Sequence, residues 1–457
     1  MNQTENFNEL GEQPVGRLLM RYAIPAIVAM TASSLYNIID GIFIGQGVGK
    51  EAIMGLALTG PIMSLTAAFG AMVGVGASTL MSVRLGQKDY RTARDILGNV
   101  IIMNVVMGLV LGFVLQLLLT PILRFFGASD ATLPYARDFM TVILAGNVVT
   151  HLYLGLNALL RSTNRPMKAM YATFGTVALN CVFAPFFIFV LGWGIRGAAV
   201  STVLSQLCML LWQLRLFSSK KEFIHLSRDI MHLRWRIVRE SLTIGLSPFL
   251  INLCACLVAV IVTRSMARYG GDVAVGAFGI SNRFVLFITT MVIGLNQGMQ
   301  PIAGYNYGAR NYDRLIAVLR KAILVATCIT TLGFIAGTFF ARPCVSIFAK
   351  DAPELIDAAA RGFRTVVILF PLIGMQIVSV SFFQSIGMPG KSIFLSLTRQ
   401  LIFLAPALLI LPHLFTDHVM GVWYAMPTAD ALATITSLIL LSLQIKKFKR
   451  AGVLTQA

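Results

Sequence analysis

Residues Ile96–Leu119 read ILGNVIIMNVVMGLVLGFVLQLLL: twenty-four positions with two asparagines, one glutamine and no charge. A helix of about 20 apolar residues, rising 1.5 Å per residue, crosses the ~30 Å hydrocarbon layer of a bilayer. Runs of this kind recur from end to end. Of the 457 residues 57% are apolar and only 12% charged, and the mean hydropathy is +0.78. A soluble domain needs about 25% charged residues to cover its surface. The composition therefore excludes a soluble enzyme, a secreted disulfide scaffold and a disordered chain. It predicts an all-α polytopic membrane protein that lives in the lipid bilayer.

Apolar runs between charged or Pro/Gly breaks give twelve spans: 18–44, 52–83, 96–119, 134–158, 169–190, 197–217, 240–267, 273–303, 321–341, 356–386, 392–412 and 419–445. An even number places both termini on one side. With that side as the cytoplasm, and residues near a span's end counted with the adjoining loop, twenty-five Lys and Arg fall inside and ten outside, leaving Arg283 and Arg399 deep within spans. The bias orients both termini inward. It also accounts for the net charge of +18 without nucleic acid. No signal peptide is expected, because Glu5, Glu9 and Glu12 precede the first basic residue, Arg17.

The chain repeats itself once. GQKDY (Gly86–Tyr90) returns as GARNY (Gly308–Tyr312), an offset of 222, and Pro25 returns as Pro248, an offset of 223. Pro166 and Lys168 return as Pro389 and Lys391, and Gly197 as Gly421, at 223 and 224. Each copy holds six spans, so the copies share one orientation and form two six-helix lobes related by a parallel repeat. The expected organisation is an N-terminal lobe over 1–217, a linker over 218–239 and a C-terminal lobe over 240–457. In the linker, Phe223, Leu226, Ile230, Leu233 and Ile237 are spaced 3, 4, 3 and 4, which predicts an amphipathic helix in the membrane interface.

Ionisable groups deep in a membrane cost at least ~2.5 kcal/mol and need a reason to be there. Asp40 lies ten residues before Lys50 in span 1, hence about 15 Å from that loop. Tyr36, Asn37, Asn180 and Thr202 are its polar, neutral candidate neighbours. Burial disfavours a charged carboxylate, which suits a group that takes up and releases a proton. The repeat-mate of Asp40 is Thr263, so the halves differ chemically. Asp430, near the middle of span 12, has Arg399 on span 11 as a candidate partner; a structural pair and a transport role both remain open. Gly45, Gly47 and Gly49 read as an outer turn, and Gly41/Gly45 and Gly70/Gly74 as close helix packing. The six cysteines read as small core residues, and a metal site at His413 and His418 is not expected. No nucleophile–base constellation stands out, so no enzyme is expected and no cofactor is implied.

YNIIDGIFIGQGVG (Tyr36–Gly49), GLNQGMQPIAGYNYGARNYDR (Gly294–Arg314) and MPTAD (Met426–Asp430) resemble the multidrug and toxic compound extrusion (MATE) transporters, closest to their DinF/MepA-like bacterial branch. The resemblance implies a monomeric antiporter in the plasma membrane of a bacterium. It would export amphipathic, cationic small molecules by alternating access, driven by entry of protons or sodium. The family's cation site maps onto Asp40, Asn180 and Thr202, and Tyr36, Asn37, Arg283, Gln297, Gln300, Arg399 and Asp430 become candidate substrate or second-lobe residues. Many relatives read N-x-x-x-D-P in span 5, where this chain has Asn180, Ala184 and Pro185. Losing that carboxylate favours protons over sodium, which needs several oxygen ligands. A lipid or oligosaccharide flippase, and a membrane scaffold or receptor, are the competing readings.

Overall fold

The computed structural model describes residues 5–219, 222–346 and 353–456. Nine of its helices are long and apolar enough to cross a membrane by themselves, and two bent pairs add two more. One of the nine, Trp235–Gly308, runs for 74 residues and breaks at Gly271, where spans 7 and 8 meet. The twelve spans read from the sequence are all present. Span 1 is Val15–Gly47, span 2 Lys50–Gly86, span 3 Tyr90–Leu117, span 5 Pro166–Val190 and span 6 Gly194–Phe217. Spans 9, 11 and 12 are Tyr312–Phe339, Pro389–Leu414 and His418–Gln456. Span 4 (Leu133–Ala145 and Asn147–Ser162) bends by 56° and span 10 (Pro353–Val367 and Phe370–Ser385) by 57°.

The repeat is structural in detail. GQKDY and GARNY each close a helix with one residue in the left-handed region, Lys88 at φ 59° and Arg310 at φ 57°. In each, the next amide bonds back across the turn, Asp89 N to Arg84 O and Asn311 N to Asn306 O, both 2.9 Å. Such a bond satisfies a helix-end carbonyl that would otherwise lack a partner. The turn recurs before the two Pro-x-Lys segments, with Asn164 at φ 60° and Gly387 at φ 69°, again 223 apart. The outer turns match as well: Gly49 (φ 119°, ψ −175°) and Gly271 (φ 62°, ψ −157°) combine a positive φ with an extended ψ, a region essentially confined to glycine. Of the three glycines read as that outer turn, Gly45 and Gly47 are still helical, and Gly49 makes it.

The chain forms two compact units, and their limits differ from the sequence-based boundaries. The first comprises residues 1–12 and 28–249, the second 13–27 and 250–457. The start of span 1 thus belongs with the second half, and the linker and the start of span 7 with the first. In the second unit a Cβ at Gly298 would stand 2.6 Å from the Ala23 Cα, and one at Gly294 equally close to the Ile27 Cα. In the first, a Cβ at Gly245 would reach within 1.7 Å of the Met72 carbonyl oxygen, and Arg84 pairs with Glu240 at 2.8 Å. Gly74 lies against Gly155 of span 4, as small-residue spacing predicts, but nothing approaches Gly41.

The linker corrects a second expectation. Between 222 and Trp235 its only helix is the single turn Arg228–Ile230. The rest is a strap on the first unit. Asn99 donates to the His232 carbonyl (3.2 Å) and accepts from the Arg234 amide (2.8 Å), so its side chain replaces a helix as partner for the strap's backbone. Gly98 leaves room for the Ile230 carbonyl, which a Cβ would meet at 2.0 Å. Ile224, Ile230 and Ile237 are buried, whereas Leu233 is 54% exposed. The periodic apolar residues therefore face protein in part, rather than forming one lipid-facing stripe.

Candidate functional site

In the first unit, span 1 sets Tyr36 and Asp40 one helical turn apart, so both project from the same side. The Tyr36 hydroxyl faces the Asp40 carboxylate and Thr202 of span 6, and Cys181 of span 5 lies alongside. Asp40 Oδ1 and the Tyr36 hydroxyl are buried and close no hydrogen bond of good geometry among the described residues. Asn180 is buried and committed: it donates to Thr202 Oγ1 at 3.0 Å and accepts from Ser201 Oγ at 3.0 Å. The structure thus brings Asp40, Tyr36, Asn180 and Thr202 into one polar group. The side chain of Asn37 lies outside the described residues. Ala184, where many relatives carry an acid, is wholly buried in an apolar cluster with Ile44, Ile188, Ile195 and Ala198.

A second polar group joins spans 4 and 5, and sequence reasoning missed it. Arg161 donates to Asn157 Oδ1 at 2.7 Å. Asn157 donates to the Ala169 carbonyl at 3.2 Å and to Thr173 Oγ1 at 3.3 Å. Thr150 donates to Gln206 of span 6 at 2.6 Å. Arg161 lies three residues beyond the sequence-based limit of span 4 and was therefore counted with the loop. The 56° bend at Gly146 lets the second helix of span 4 continue as far as Ser162. His151 is fully buried on the same helix; the Thr66 backbone faces its ring, and neither ring nitrogen closes a hydrogen bond of good geometry among the described residues.

In the second unit, Arg399 Nε and Asp430 Oδ1 are 2.6 Å apart. The sequence-based pairing of spans 11 and 12 is therefore present. Asp430 is 4% exposed and Arg399 28%, so the carboxylate is enclosed while the guanidinium keeps an open edge. Arg399 belongs to a π-helical stretch, Thr398–Leu404, whose wider turn shifts the side chains that follow it. Thr263, the repeat-mate of Asp40, bonds its own helix at the Ala259 carbonyl (2.8 Å) and joins no polar group. On span 8 Arg283 is exposed, Gln297 half-buried and Gln300 buried. His413 and His418 flank Tyr269, and His418 Nδ1 contacts the Pro412 carbonyl oxygen at 2.5 Å. No group of three metal-ligating side chains converges among the described residues, and the six cysteines are free thiols.

The family model described as MatE matches residues 25–186 and again 248–409, one copy in each half of the chain. The chain is similar to the multidrug export protein MepA of Staphylococcus haemolyticus, 26% identical over 411 residues and 88% of each protein. It is 24% identical to MepA of Staphylococcus aureus over 437 residues and 94% of each. Among solved structures it shares its fold with a multidrug resistance MATE family transporter of the MOP superfamily in an outward-facing conformation. The TM-score is 0.91 at 24% identity, covering 97% of this chain and 98% of that one. A MOP superfamily transporter from Pyrococcus furiosus gives the same TM-score and identity, over 96% and 98%.

Proposed function

The chain belongs to the MatE family, a family of membrane transporters, and from that premise we propose that it is a multidrug efflux antiporter that exchanges amphipathic compounds for protons by alternating access. The export reading draws on the similarity to MepA along nearly the whole chain. The proton assignment rests on one observation. Asp40 is a half-buried intramembrane acid with no ion pair among the described residues, and beside it stand only neutral groups. A carboxylate so placed alternates between charged and neutral forms as its surroundings dry and wet. Sodium is the weaker candidate. Asn180, the nearest amide, already spends its oxygen on Ser201, and Ala184 offers no carboxylate. Both termini face the cytoplasm in this reading, in accord with the Lys/Arg bias.

Dye efflux from proteoliposomes tests the assignment. An imposed pH gradient, acidic on the side away from the cytoplasm, should drive export with no sodium present. Efflux that follows a sodium gradient and ignores pH would overturn proton coupling. An absence of efflux under both gradients would overturn the exporter reading itself.

A further inference from the structure

We propose that Arg161 is an anion-recognition residue that receives the carboxylate of a zwitterionic amphiphile, at the far end of the polar tract that begins at Asp40. The inference deepens the export reading and rests on it.

Arg161 is exceptional among the arginines of the first unit. Those that are half-buried, namely Arg84, Arg94, Arg165 and Arg234, each pair with a carboxylate: Glu240, Asp229, Glu222 and Asp95 at 2.8, 3.3, 2.8 and 2.5 Å. The arginines without an ion pair, such as Arg91, Arg215 and Arg239, are exposed. Arg161 alone is half-buried and has no carboxylate within 4.0 Å among the described residues. Nearby Arg165 and Lys168 share the single acid Glu222, at 2.8 and 3.8 Å. The neighbours of Arg161 are neutral: Asn157, which takes one donor at 2.7 Å, and the phenol group of Tyr153.

A guanidinium has five N–H donors in a planar fork that matches a carboxylate with two parallel bonds. Enclosing it without a counter-charge is costly, and a fold that accepts the cost keeps the fork open. The face of span 4 that carries it, Thr150, Leu154, Asn157 and Arg161 at spacings of 4, 3 and 4, is a single helical stripe. Leu154 on that stripe is 36% exposed. On the other side of span 4 Gly155 lies against Gly74 and Ser162 bonds Ser78, while on the stripe itself Thr150 and Asn157 meet polar groups of spans 6 and 5.

The tract from Arg161 continues through Asn157 and Thr173 and along span 5 to Asn180, which bonds Thr202 beside Tyr36 and Asp40. Thr173, Thr176 and Asn180 are spaced 3 and 4 and share a face. The seven residues from Thr173 to Asn180 rise by about 10 Å. One lobe thus offers an acid and an unanswered guanidinium at opposite ends of a neutral polar wall. A compound that carries both an amine and a carboxylate can answer both groups; a simple cation answers only one.

Tetramethylrhodamine, a zwitterion, and its methyl ester, the same cation with the carboxylate capped, separate the two charges. Binding is read by fluorescence anisotropy with the full-length protein in a neutral detergent. Arg161→Gln should weaken the free acid about tenfold or more, the scale of a lost charge-assisted hydrogen bond, and leave the ester unchanged. Arg161→Lys should restore part of the loss. An equal effect on both dyes, or no effect on either, overturns the proposal. So does displacement of both dyes alike by phosphatidylglycerol together with loss of that lipid's effect in Arg161→Gln, which would make the site one for lipid phosphate. Ester binding by the variant reports its fold. If the variant does not fold, benzoate competition on the wild type decides, since benzoate should displace the acid and spare the ester, and equal or absent competition overturns the assignment. Wild-type protein that binds the ester but not the acid removes this inference and leaves the export reading standing; binding of neither dye counts against both.

Discussion

Asp40 and Asp430 are both acids inside the membrane, and their surroundings set them different tasks. Asp430 is tied to Arg399 at 2.6 Å. Removing one partner of a buried pair strands the other at a typical cost of ~3–5 kcal/mol. Asp430→Asn should therefore lower the melting temperature in detergent, and adding Arg399→Gln should recover part of the fall. Simply additive effects would mean that the contact contributes nothing. Asp40 has no cation to strand, and its buried Oδ1 makes no bond that Asn would lose. Asp40→Asn should melt no lower than wild type yet build no dye gradient in liposomes; a mutant that accumulates dye normally would remove Asp40 from the mechanism. Both acids were legible in the sequence, because a charge in an apolar run stands out. Arg161 was not, because it directly follows the apolar run that ends at Leu160 and so reads as a cation of the next loop.

The same distinction governs the elements. Turns built from local geometry were readable: the left-handed residues at Lys88 and Arg310 sit inside the pentapeptides whose likeness revealed the repeat. The linker was misread because a 3–4 spacing of apolar residues also fits a strap whose partners are distant in sequence. A short isolated helix is marginal by itself, and Asn99, Gly98 and Asp95 offer this segment better partners. Asp95→Asn should loosen the ion pair with Arg234, costing about 1–3 kcal/mol and raising hydrogen exchange across residues 227–234. Unchanged exchange would show that the Asp95–Arg234 pair does not hold the strap. Acid should act differently. The Asp229 carboxyl is held below the usual carboxylate range, first by the Ser227 hydroxyl and further by Arg94. Its contribution is complete above the unfolded value of about 3.9 and fades only as pH falls through the lower folded value. Exchange protection of the strap, corrected for intrinsic rates, should therefore hold between pH ~7 and ~5. A loss within that window would show that Asp229 is not the group that sets the strap's response to acid.

At the scale of the whole molecule, span counting and the offset of about 222 residues were enough to give two lobes of six spans. They could not show that the lobes exchange parts. An apolar run reveals that a helix is buried in something, and nothing about which helix covers it. Residues 13–27 complete the second unit and residues 235–249 the first. The exchange is written in close backbone approaches, Gly294 and Gly298 on span 1 and Gly76 and Gly245 where spans 2 and 7 meet, and in the bond from Arg314 to the Gln13 carbonyl at 2.6 Å. Small residues let helices pack closely in lipid, where no hydrophobic force drives them together. A half expressed alone would present those glycine surfaces to the bilayer, and Arg314 would lose its bond to the Gln13 carbonyl. Residues 222–457 produced by themselves should thus aggregate or be degraded, and residues 1–219 likewise, because that half lacks the strap and residues 235–249. Co-expressed, the two fragments should restore a single sharp peak on size exclusion with both pieces in it, since together they hold every residue but 220 and 221. A C-terminal fragment that is monodisperse alone would show that residues 13–27 merely rest on the second unit. Rescue of that fragment by adding residues 13–27 back at its N-terminus, through a linker long enough to reach, would show that they complete it.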